Sequence, residues 1–259
     1  MINMANIEVK CPFCGSAEVI KFGKRPNGSQ RYRCKLCKKT FQLEYKYKAC
    51  FPGVKDQIVD MAMNGSGTRD TARTLGVSKD TVTNSLKKLK DSVQPVNEAY
   101  LKKKSMNTSV DTEIHNALSP YDLPKALSAE MDEMWSYYHD KKHQIWLWWA
   151  VDHANNVPLA FTFGVRTDDV LCELLILLEQ YNIDKVYTDN NFAYSKLIPC
   201  EVHHIGKRNT QKIERQHLTL RTRIKRLARK TICFSKSLEV HKAVIGTFIN
   251  RVFFASKIS

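Results

Sequence analysis

Three carboxylates in the second half of the chain have positions in which they could bind a divalent metal together. Asp132 stands in "EMDEMW", Asp189 ends "KVYTD", and Glu214 is the single acid of residues 207–230, which hold ten lysines and arginines. Carboxylate oxygens suit Mg²⁺, and two such ions can activate a nucleophile and stabilise the leaving oxygen of a phosphoryl displacement. The acids therefore indicate metal-assisted phosphodiester chemistry. A surface salt bridge is the alternative explanation of Glu214.

Four cysteines near the start of the chain have the spacing of a zinc site. Cys11 and Cys14 form "CPFC", Cys34 and Cys37 form "CKLC", and nineteen residues separate the two pairs. Each pair can give two thiolates to one tetrahedral zinc, which would supply folding energy that a segment of about fifty residues cannot obtain from a core. We predict a zinc ribbon with one structural Zn²⁺; chance pairs or a redox pair are the alternatives. The other four cysteines are expected to be buried thiols.

Residues 54–90 have the layout of a helix-turn-helix. Gly76 permits a tight turn because glycine adopts positive φ without penalty, and Ser78 is a good N-cap for the third helix. The start of that helix carries short polar side chains that can reach base edges. With two ribbon arginines, the predicted DNA contacts are Lys79, Asp80, Thr81, Thr83, Asn84, Arg31 and Arg33. A plain three-helix bundle and a protein-docking ribbon are the alternatives.

The three acids lie on predicted strands and a helix that follow a known order. Three strand patterns, the first containing Asp132, precede a helix over 168–181, a short strand ending at Asp189 and a long helix carrying Glu214. The predicted buried stripe of the long helix is Ile213, Leu220, Ile224 and Leu227. This order of elements is that of a ribonuclease-H-like fold, in which acids of the first strand, the fourth strand and a late helix meet.

Other residues near the acids are weaker candidates. Asp152, at the end of the second strand, is the best rival for a metal position. Glu133 is expected to face away from Asp132, because neighbouring residues of a strand point to opposite faces. His204 and His217 are expected to be solvated or to pack in the interior. The tryptophans of "IWLWW" are interpreted as core residues and not as platforms for nucleobases.

The overall charge predicts a polyanionic partner. The 259 residues carry a formal net charge of +15, and the pI is about 9.4. Clustered lysines and arginines release counterions from nucleic acid. An anionic membrane could use the same charge, but the sequence has no apolar run of spanning length and no apolar signal core at its start. We expect a cytoplasmic protein, nucleoid-associated in a prokaryote, that binds double-stranded DNA and no membrane.

The sequence resembles the transposases of the insertion sequence 1 family, within the DDE recombinase superfamily. The fragments "CPFCGS", "RYRCKLCKKTFQ", "EMDEMWSY", "FGVRT", "TQKIER" and "ARKTICFSKS" carry the likeness, which spans nearly the whole chain. The resemblance implies catalytic roles with Mg²⁺ (or Mn²⁺) for Asp132, Asp189 and Glu214. It also implies a phosphate contact for Arg221, seven residues beyond Glu214; ordinary surface charge is the alternative there.

The predicted architecture is a multidomain α+β protein. It has a zinc ribbon over 1–48, a helix-turn-helix module over 52–92, a linker over 93–127 and an α/β ribonuclease-H-like catalytic domain over 128–259. The resemblance implies a DNA transposase that binds terminal inverted repeats, cleaves and transfers strands, and works as a homodimer or larger assembly on DNA. The alternative is a DNA-binding repressor or a domesticated regulator without cleavage activity.

Overall fold

The computed structural model of this chain describes residues 8–45, 47–103, 127–228 and 230–255. In the first of these ranges a small antiparallel sheet follows the first cysteine pair. Its strands are β1 (Val19–Lys24), β2 (Gln30–Cys34) and β3 (Thr40–Phe41). The buried apolar cluster of this sheet consists of Cys11, Cys34 and Phe41, which is too few side chains for an apolar core to stabilise the fold by itself.

The four cysteines of the two pairs converge beside this sheet. Cys11 Sγ lies 3.6 Å from Cys37 Sγ, Cys14 Sγ lies 3.6 Å from Cys34 Sγ, and all four sulfurs lie within 4.8 Å of one another. Sulfurs placed tetrahedrally at about 2.3 Å from one zinc would be about 3.8 Å apart. The backbone N–H of Cys37 is the largest of the effects that lower the pKa of Cys34 to about 6, which favours the thiolate that zinc binds. The cluster therefore fits a structural zinc.

Three short helices form the second module. They are α1 (Val54–Met63), α2 (Thr68–Leu75) and α3 (Lys79–Lys88). Gly76 ends α2 with a φ of 62°, and the Ser78 side chain caps α3 by accepting a hydrogen bond from the Thr81 N–H. Both features agree with the helix-turn-helix prediction. The turn leaves the start of α3 at the surface, where Lys79 and Asp80 are exposed.

A mixed five-stranded sheet forms the third part of the chain. Its strands are β4 (Leu127–Tyr137), β5 (Gln144–Asp152), β6 (Pro158–Gly164), β7 (Ile183–Thr188) and β8 (His203–Ile205). The spatial order is β6-β5-β4-β7-β8. β5 is antiparallel to both β4 and β6, whereas β4, β7 and β8 run parallel. The longest strand, β4, is therefore central and lies next to β7.

Helices cover both faces of the sheet. On one face, α4 (Asp168–Leu178) and α5 (Phe192–Leu197) pack in a cluster with Trp148. On the other, α6 (Gln211–Arg223) and α7 (Leu238–Phe248) pack in a cluster with Trp149. Both tryptophans are 0% exposed, which confirms their interpretation as core residues, whereas Trp146 is only half-buried against the first cluster. No helix in the described ranges is long and apolar enough to cross a membrane.

The basic stretch forms a shorter helix than the sequence predicts. α6 ends at Arg223, Ile224 is extended with φ −104° and ψ 101°, and Lys225–Leu227 form a 3-10 turn. The predicted stripe is nevertheless buried, including Ile224 and Leu227 beyond the helix. The prediction of one long helix was wrong, because the chain leaves the helical path at Ile224 and buries Arg226 and Leu227 from a 3-10 turn.

The helix-turn-helix module packs directly on α7. Val244 of α7 belongs to the same buried cluster as Ile58 and Leu86. A Cβ atom at Gly246 would lie 2.5 Å from Val93 Cγ1, so this close approach requires glycine. Arg226 adds a polar link by donating from Nε to the carbonyl oxygen of Ala62, near the end of α1, at 3.3 Å. The helix-turn-helix module thus contacts the acid-bearing domain through both apolar and polar groups.

Part of the range predicted as linker also packs on the sheet. Val96 pairs antiparallel with Ala160 of β6, and the Asn97 N–H donates to the Leu159 oxygen at 2.8 Å. The Tyr181 hydroxyl donates to the Asn97 oxygen at 3.1 Å. Residues 95–97 therefore extend the hydrogen bonding of the sheet beyond β6. Residues 104–126 of the linker prediction lie outside the described residues.

The cysteines outside the ribbon are less buried than predicted. Cys50 and Cys200 are exposed, and Cys172 and Cys233 are half-buried, so the expectation of buried thiols was wrong. Cys50 lies in a single 3-10 turn, and Cys200 follows the end of α5. The neighbouring residues Ala49 and Ile198 take the buried positions of these segments, which leaves the cysteines at the surface although a cysteine is apolar enough to be buried.

Cys34→Ser should remove zinc and unfold the ribbon, because the metal replaces the missing apolar core. We expect one zinc per chain in the full-length protein by elemental analysis, and rapid proteolysis within residues 8–45 in the variant. Cys50→Ser, at an exposed cysteine outside the cluster, is the matched control and should keep its zinc. A ribbon that stays protease-resistant without zinc would contradict the assignment.

Candidate active site

Asp132 and Asp189 come side by side through the parallel pairing of β4 and β7. The last paired residues of the two strands are Glu130 and Tyr187. Asp132 and Asp189 each follow two residues later. Because alternate residues of a strand share a face, both carboxylates lie on the side of the sheet that α6 covers. β7 ends at Thr188, whereas β4 continues to Tyr137. The two acids therefore lie at the carboxyl end of β7, and the Asp132 side chain is 20% exposed.

The two carboxylates repel each other. Burial, and after it the charge of Asp132, raise the pKa of Asp189; the Asn191 N–H and the charge of Arg166 act in the opposite direction. Two like charges in one site favour neutralisation by a proton or a cation. Within the described part of the chain, neither acid forms an ion pair with a lysine or arginine. The donor set and its charge therefore fit a divalent metal.

Helix α6 places His217 beside Asp132 and carries Glu214 in its first turn, but the carboxylates of Asp132, Asp189 and Glu214 do not all lie within 4.8 Å of one another. His217 is 7% exposed, and its Nδ1 lies 3.4 Å from Asp132 Oδ2. Its Nε2 is buried and has no hydrogen-bond partner among the described groups. Glu214 is exposed in the first turn of α6, one turn before His217. Although Lys212 stands nearby, Glu214 makes no ion pair in the described ranges, so the salt-bridge alternative finds no support.

Two further candidates lie at the margin of the site. Arg221 is two helical turns beyond Glu214, so the two side chains leave α6 within about 20° of each other and about 10 Å apart along its axis. Arg221 lines a cleft together with Trp135. His204 is exposed on β8, with its ring centroid 5.5 Å from that of Tyr187. The structure therefore leaves His204 on the surface, outside the direct neighbourhood of Asp132.

Glu130 is a buried acid that the sequence analysis missed. It is 1% exposed, on the same face of β4 as Asp132, two residues before it. Its Oε2 accepts a hydrogen bond from the Ile213 N–H at 3.0 Å, at the start of α6, and its Oε1 lies 2.7 Å from His153 Nδ1. A carboxylate at a helix N-terminus is stabilised by the helix dipole. Glu130 therefore fixes the start of α6, next to Glu214.

Glu133 faces away from Asp132, as predicted. Its side chain is 3% exposed and accepts hydrogen bonds from Arg166 Nε at 2.9 Å, from Asn191 Nδ2 at 3.0 Å and from the Tyr194 hydroxyl at 2.7 Å. Asn191 also donates its N–H to Asp189 Oδ1 at 3.1 Å. Glu133 thus holds the loop that carries Asp189 from the opposite face of the sheet.

Asp152, the rival for a metal position, has its oxygens occupied by protein groups. Its Oδ2 accepts hydrogen bonds from the Tyr100 hydroxyl at 2.6 Å and from Asn155 Nδ2 at 3.0 Å. Its Oδ1 accepts the Ala154 N–H at 2.8 Å. The residue is 1% exposed. These contacts hold the turn after β5, so Asp152 is not a rival of Asp132.

The predicted DNA contacts on α3 divide into two groups. Three side chains are exposed: Lys79, Asp80 and Asn84. The other two side chains use their hydroxyls in hydrogen bonds within the protein. The Thr81 hydroxyl lies 2.7 Å from the Tyr47 hydroxyl, and the Thr83 hydroxyl donates to the Lys79 oxygen at 3.1 Å. The exposed group is therefore free to meet base edges, whereas the threonines would have to exchange a hydrogen bond.

The ribbon arginines stack on one aromatic ring. The guanidinium carbons of Arg31 and Arg33 lie 5.5 and 5.2 Å from the ring centre of Phe22. Phe22 is itself 38% exposed on β1. This stacking orients two cations on one surface of the ribbon, where they could contact neighbouring phosphates.

Three family models match consecutive parts of the chain. Residues 4–38 match the InsA N-terminal domain, a zinc ribbon; residues 45–92 match the InsA C-terminal domain, a helix-turn-helix; and residues 126–255 match the IS1 transposase. These matches confirm the zinc-ribbon, helix-turn-helix and family predictions. They define the class of protein as a transposase in which DNA-binding and catalytic modules follow one another along one chain.

The chain belongs to the IS1 transposase family. It is 52% identical over 129 residues to the insertion element iso-IS1n protein InsB of Shigella dysenteriae, covering 50% of this chain and 98% of that protein. It is 42% identical over 122 residues to the IS1 protein InsB of Shigella sonnei, covering 47% of this chain and 93% of that protein. The IS1 9 protein InsB of Escherichia coli K12 is also 42% identical over 122 residues, covering 47% of this chain and 73% of that protein.

Glu130→Gln should loosen α6, because a neutral amide interacts less with the helix N-terminus and with His153. We expect the unfolding free energy to fall by about 1–3 kcal/mol and amide exchange at the start of α6 to accelerate. Tryptophan fluorescence is a suitable probe, since all four tryptophans lie on β4 and β5. Glu179→Gln, at an exposed acid, is the control, and equal stabilities of the two variants would contradict the anchoring role.

Asp189→Asn should stabilise the protein when no Mg²⁺ or Mn²⁺ is added. Because the folded-state pKa of Asp189 is raised above its ordinary value of 3.8, the folded protein binds the extra proton, and the unfolding free energy falls as pH rises through that interval. The variant has no carboxyl group at position 189, so its unfolding free energy does not fall with pH for this reason.

We expect the variant to unfold at higher urea than the wild type at pH 7, and at the same urea well below pH 3.8. Added Mg²⁺ should stabilise the wild type and leave the variant unchanged, because ligands stabilise only the state that binds them. A wild type that is the more stable protein at pH 7 without metal would show that the pKa of Asp189 is not raised in the folded protein.

Proposed function

We propose that this protein is a DNA transposase that binds the terminal inverted repeats of an insertion sequence and performs metal-dependent strand cleavage and strand transfer. One observation carries the proposal: Asp132 and Asp189 share a site without a lysine or arginine partner, beneath the helix that bears Glu214. The strand order and pairing support a ribonuclease-H-like assignment of the catalytic domain, because the first and fourth strands of the sheet, β4 and β7, are parallel neighbours.

Asp132, Asp189 and Glu214 would hold Mg²⁺ or Mn²⁺ through carboxylate oxygens. The metal would supply activation of a water or 3′-hydroxyl nucleophile and stabilisation of the leaving oxygen. The chain itself orients the ligands: His217 lies against Asp132, and Glu130 fixes the start of α6. Such positioning matters because displacements of about 1 Å can cost orders of magnitude in rate.

The basic groups would hold the DNA substrate. Lys79 and Asn84 on α3 would contact base edges of the terminal repeats, with Asp80 beside them, and Arg31 and Arg33 would bind phosphates. Arg221 would grip a phosphate near the metal, since a guanidinium can bind two phosphate oxygens at once. Transposition requires two DNA ends to be paired, so we propose a homodimer or larger assembly on DNA, in the cytoplasm where a prokaryotic chromosome lies.

Glu214→Gln tests the site, because it keeps side-chain size and removes the charge that would bind the metal. DNA containing the terminal repeats should still be bound, or bound more tightly, since a negative charge leaves a basic surface. Strand cleavage and joining in Mg²⁺ should fall to background, as in Asp132→Asn and Asp189→Asn. The triple variant should be little worse than any single one, because residues of one site do not act additively.

Two variants make the result decisive. Glu214→Asp keeps the charge but withdraws the oxygens by one methylene, and we expect severe loss of cleavage. Glu179→Gln removes an exposed acid elsewhere and should cut normally. Mg²⁺-dependent cutting by Glu214→Gln at the wild-type rate would reject the proposed site. A wild type that binds the repeats but never cuts them would instead indicate a regulator.

A further inference from the structure

A cleft of about 380 Å³ opens beside the acids. It lies between the end of β4, the end of α6 and the turn that follows α6. Trp135, Tyr137, Lys141, Arg226 and Lys230 supply its aromatic and cationic lining. No carboxylate is among the described residues that line the cleft. An aromatic surface with cations and no acids matches the chemistry of a nucleotide.

The cleft is within reach of a DNA strand that lies on the acids. Trp135 is three residues beyond Asp132 on β4, about 10 Å along the strand, and points to the opposite face, so a DNA strand would reach it around the edge of β4 that β7 leaves unpaired beyond Glu130. On the facing element, Arg221 is about 10 Å beyond Glu214. Ten ångströms is about three steps of a stacked DNA strand. A strand with its scissile phosphate at the acids would therefore place a nearby nucleotide in the cleft.

Arg226 is a buried cation whose charge is not neutralised by an acid in the described ranges. It is 8% exposed and donates from Nη1 to Ser235 Oγ at 2.8 Å and from Nε and Nη2 to the Ala62 oxygen at 3.3 Å. All of these acceptors are neutral groups. A buried charge without a counter-ion is costly, and a phosphate in the cleft would supply that counter-ion with good geometry for a guanidinium.

The aromatic part of the cleft is held in place. The Tyr137 hydroxyl donates to the Thr231 oxygen at 3.1 Å, and its ring centroid lies 5.8 Å from that of Phe234. Trp135 lies against Tyr137, with ring centroids 5.5 Å apart, and is half-buried. Rigid aromatic rings beside cations bind unpaired nucleotides by stacking, whereas a paired base would offer only its edge.

We propose that this cleft binds one unstacked nucleotide of the cleaved DNA strand, with its phosphate on Arg226 and its base against Trp135. Lys141 and Lys230 add long-range attraction for the phosphates. The inference rests on the proposed function for the identity of the strand, but binding in the cleft does not require cleavage. An experiment can therefore contradict nucleotide binding in the cleft without contradicting the proposed transposase activity, and the reverse.

The test uses a single-stranded thymidine oligonucleotide and full-length protein, with cleavage prevented by omitting Mg²⁺ and Mn²⁺. Trp135→Leu should weaken binding about five- to a hundredfold, the range found for one stacked base, and Trp135→Phe should restore most of it. Photo-crosslinking through 5-iododeoxyuridine should label Trp135 or Tyr137.

A pair of lysines gives a test that does not depend on the sheet. Lys141 lines the cleft and Lys142 does not, although both are exposed and adjacent. Lys141→Ala should weaken binding of the oligonucleotide several-fold, and Lys142→Ala should weaken it much less. Equal effects of the two lysines, together with crosslinks outside the cleft, would overturn the proposal. Crosslinks in the cleft of a protein that cuts no DNA would keep the cleft and reject the proposed transposase activity.

Discussion

The catalytic domain is built around two like charges that have to be held next to each other. Asp132 and Asp189 come together because β4 and β7 pair in parallel, and the resulting repulsion contributes to the raised pKa of Asp189. A chain can keep such a pair only if the surrounding packing is strong enough to resist it. The central position of β4, with helices on both faces and tryptophans 148 and 149 fully buried, supplies that packing. The arrangement costs stability, and a cation at the proposed metal site would offset that cost.

The strand that carries Asp132 also positions the other two acids. Glu130 points to the α6 face and fixes the start of the helix that bears Glu214, whereas Glu133 points to the opposite face and holds the loop of Asp189 through Asn191. The alternation of a strand explains this division, because positions 130 and 132 share a face and position 133 does not. Within "EMDE", therefore, Asp132 is a proposed metal ligand, whereas Glu130 and Glu133 are buried acids that position the segments carrying the other two proposed ligands. Removing a support would disturb the geometry without touching the metal.

The sequence predicts the features that depend on the spacing of residues and on the period of apolar positions. It misses the features that depend on contacts between residues far apart in the chain. The cysteine spacing, the Ser78 cap and the order of strands are local patterns, and the structure agrees with them. Glu130 has no local signal, because its hydrogen-bond partner at Ile213 is 83 residues away. The break at Ile224 was missed for the same reason: the apolar stripe continues through it, and only the burial of Arg226 shows why the helix ends.

Arg226 connects the two halves of the molecule. Its guanidinium donates to the Ala62 oxygen at the end of α1, where the negative end of the helix dipole lies, and the same side chain lines the cleft near the acids. Because Val244 and Gly246 also hold the helix-turn-helix module against α7, the recognition helix cannot move far without changing these contacts. The orientation of the helix-turn-helix module relative to the acids is therefore a property of this interface. A phosphate on Arg226 would compete with the Ala62 oxygen for the same donors, so the proposed strand binding in the cleft would be coupled through one side chain to the docking of the helix-turn-helix module.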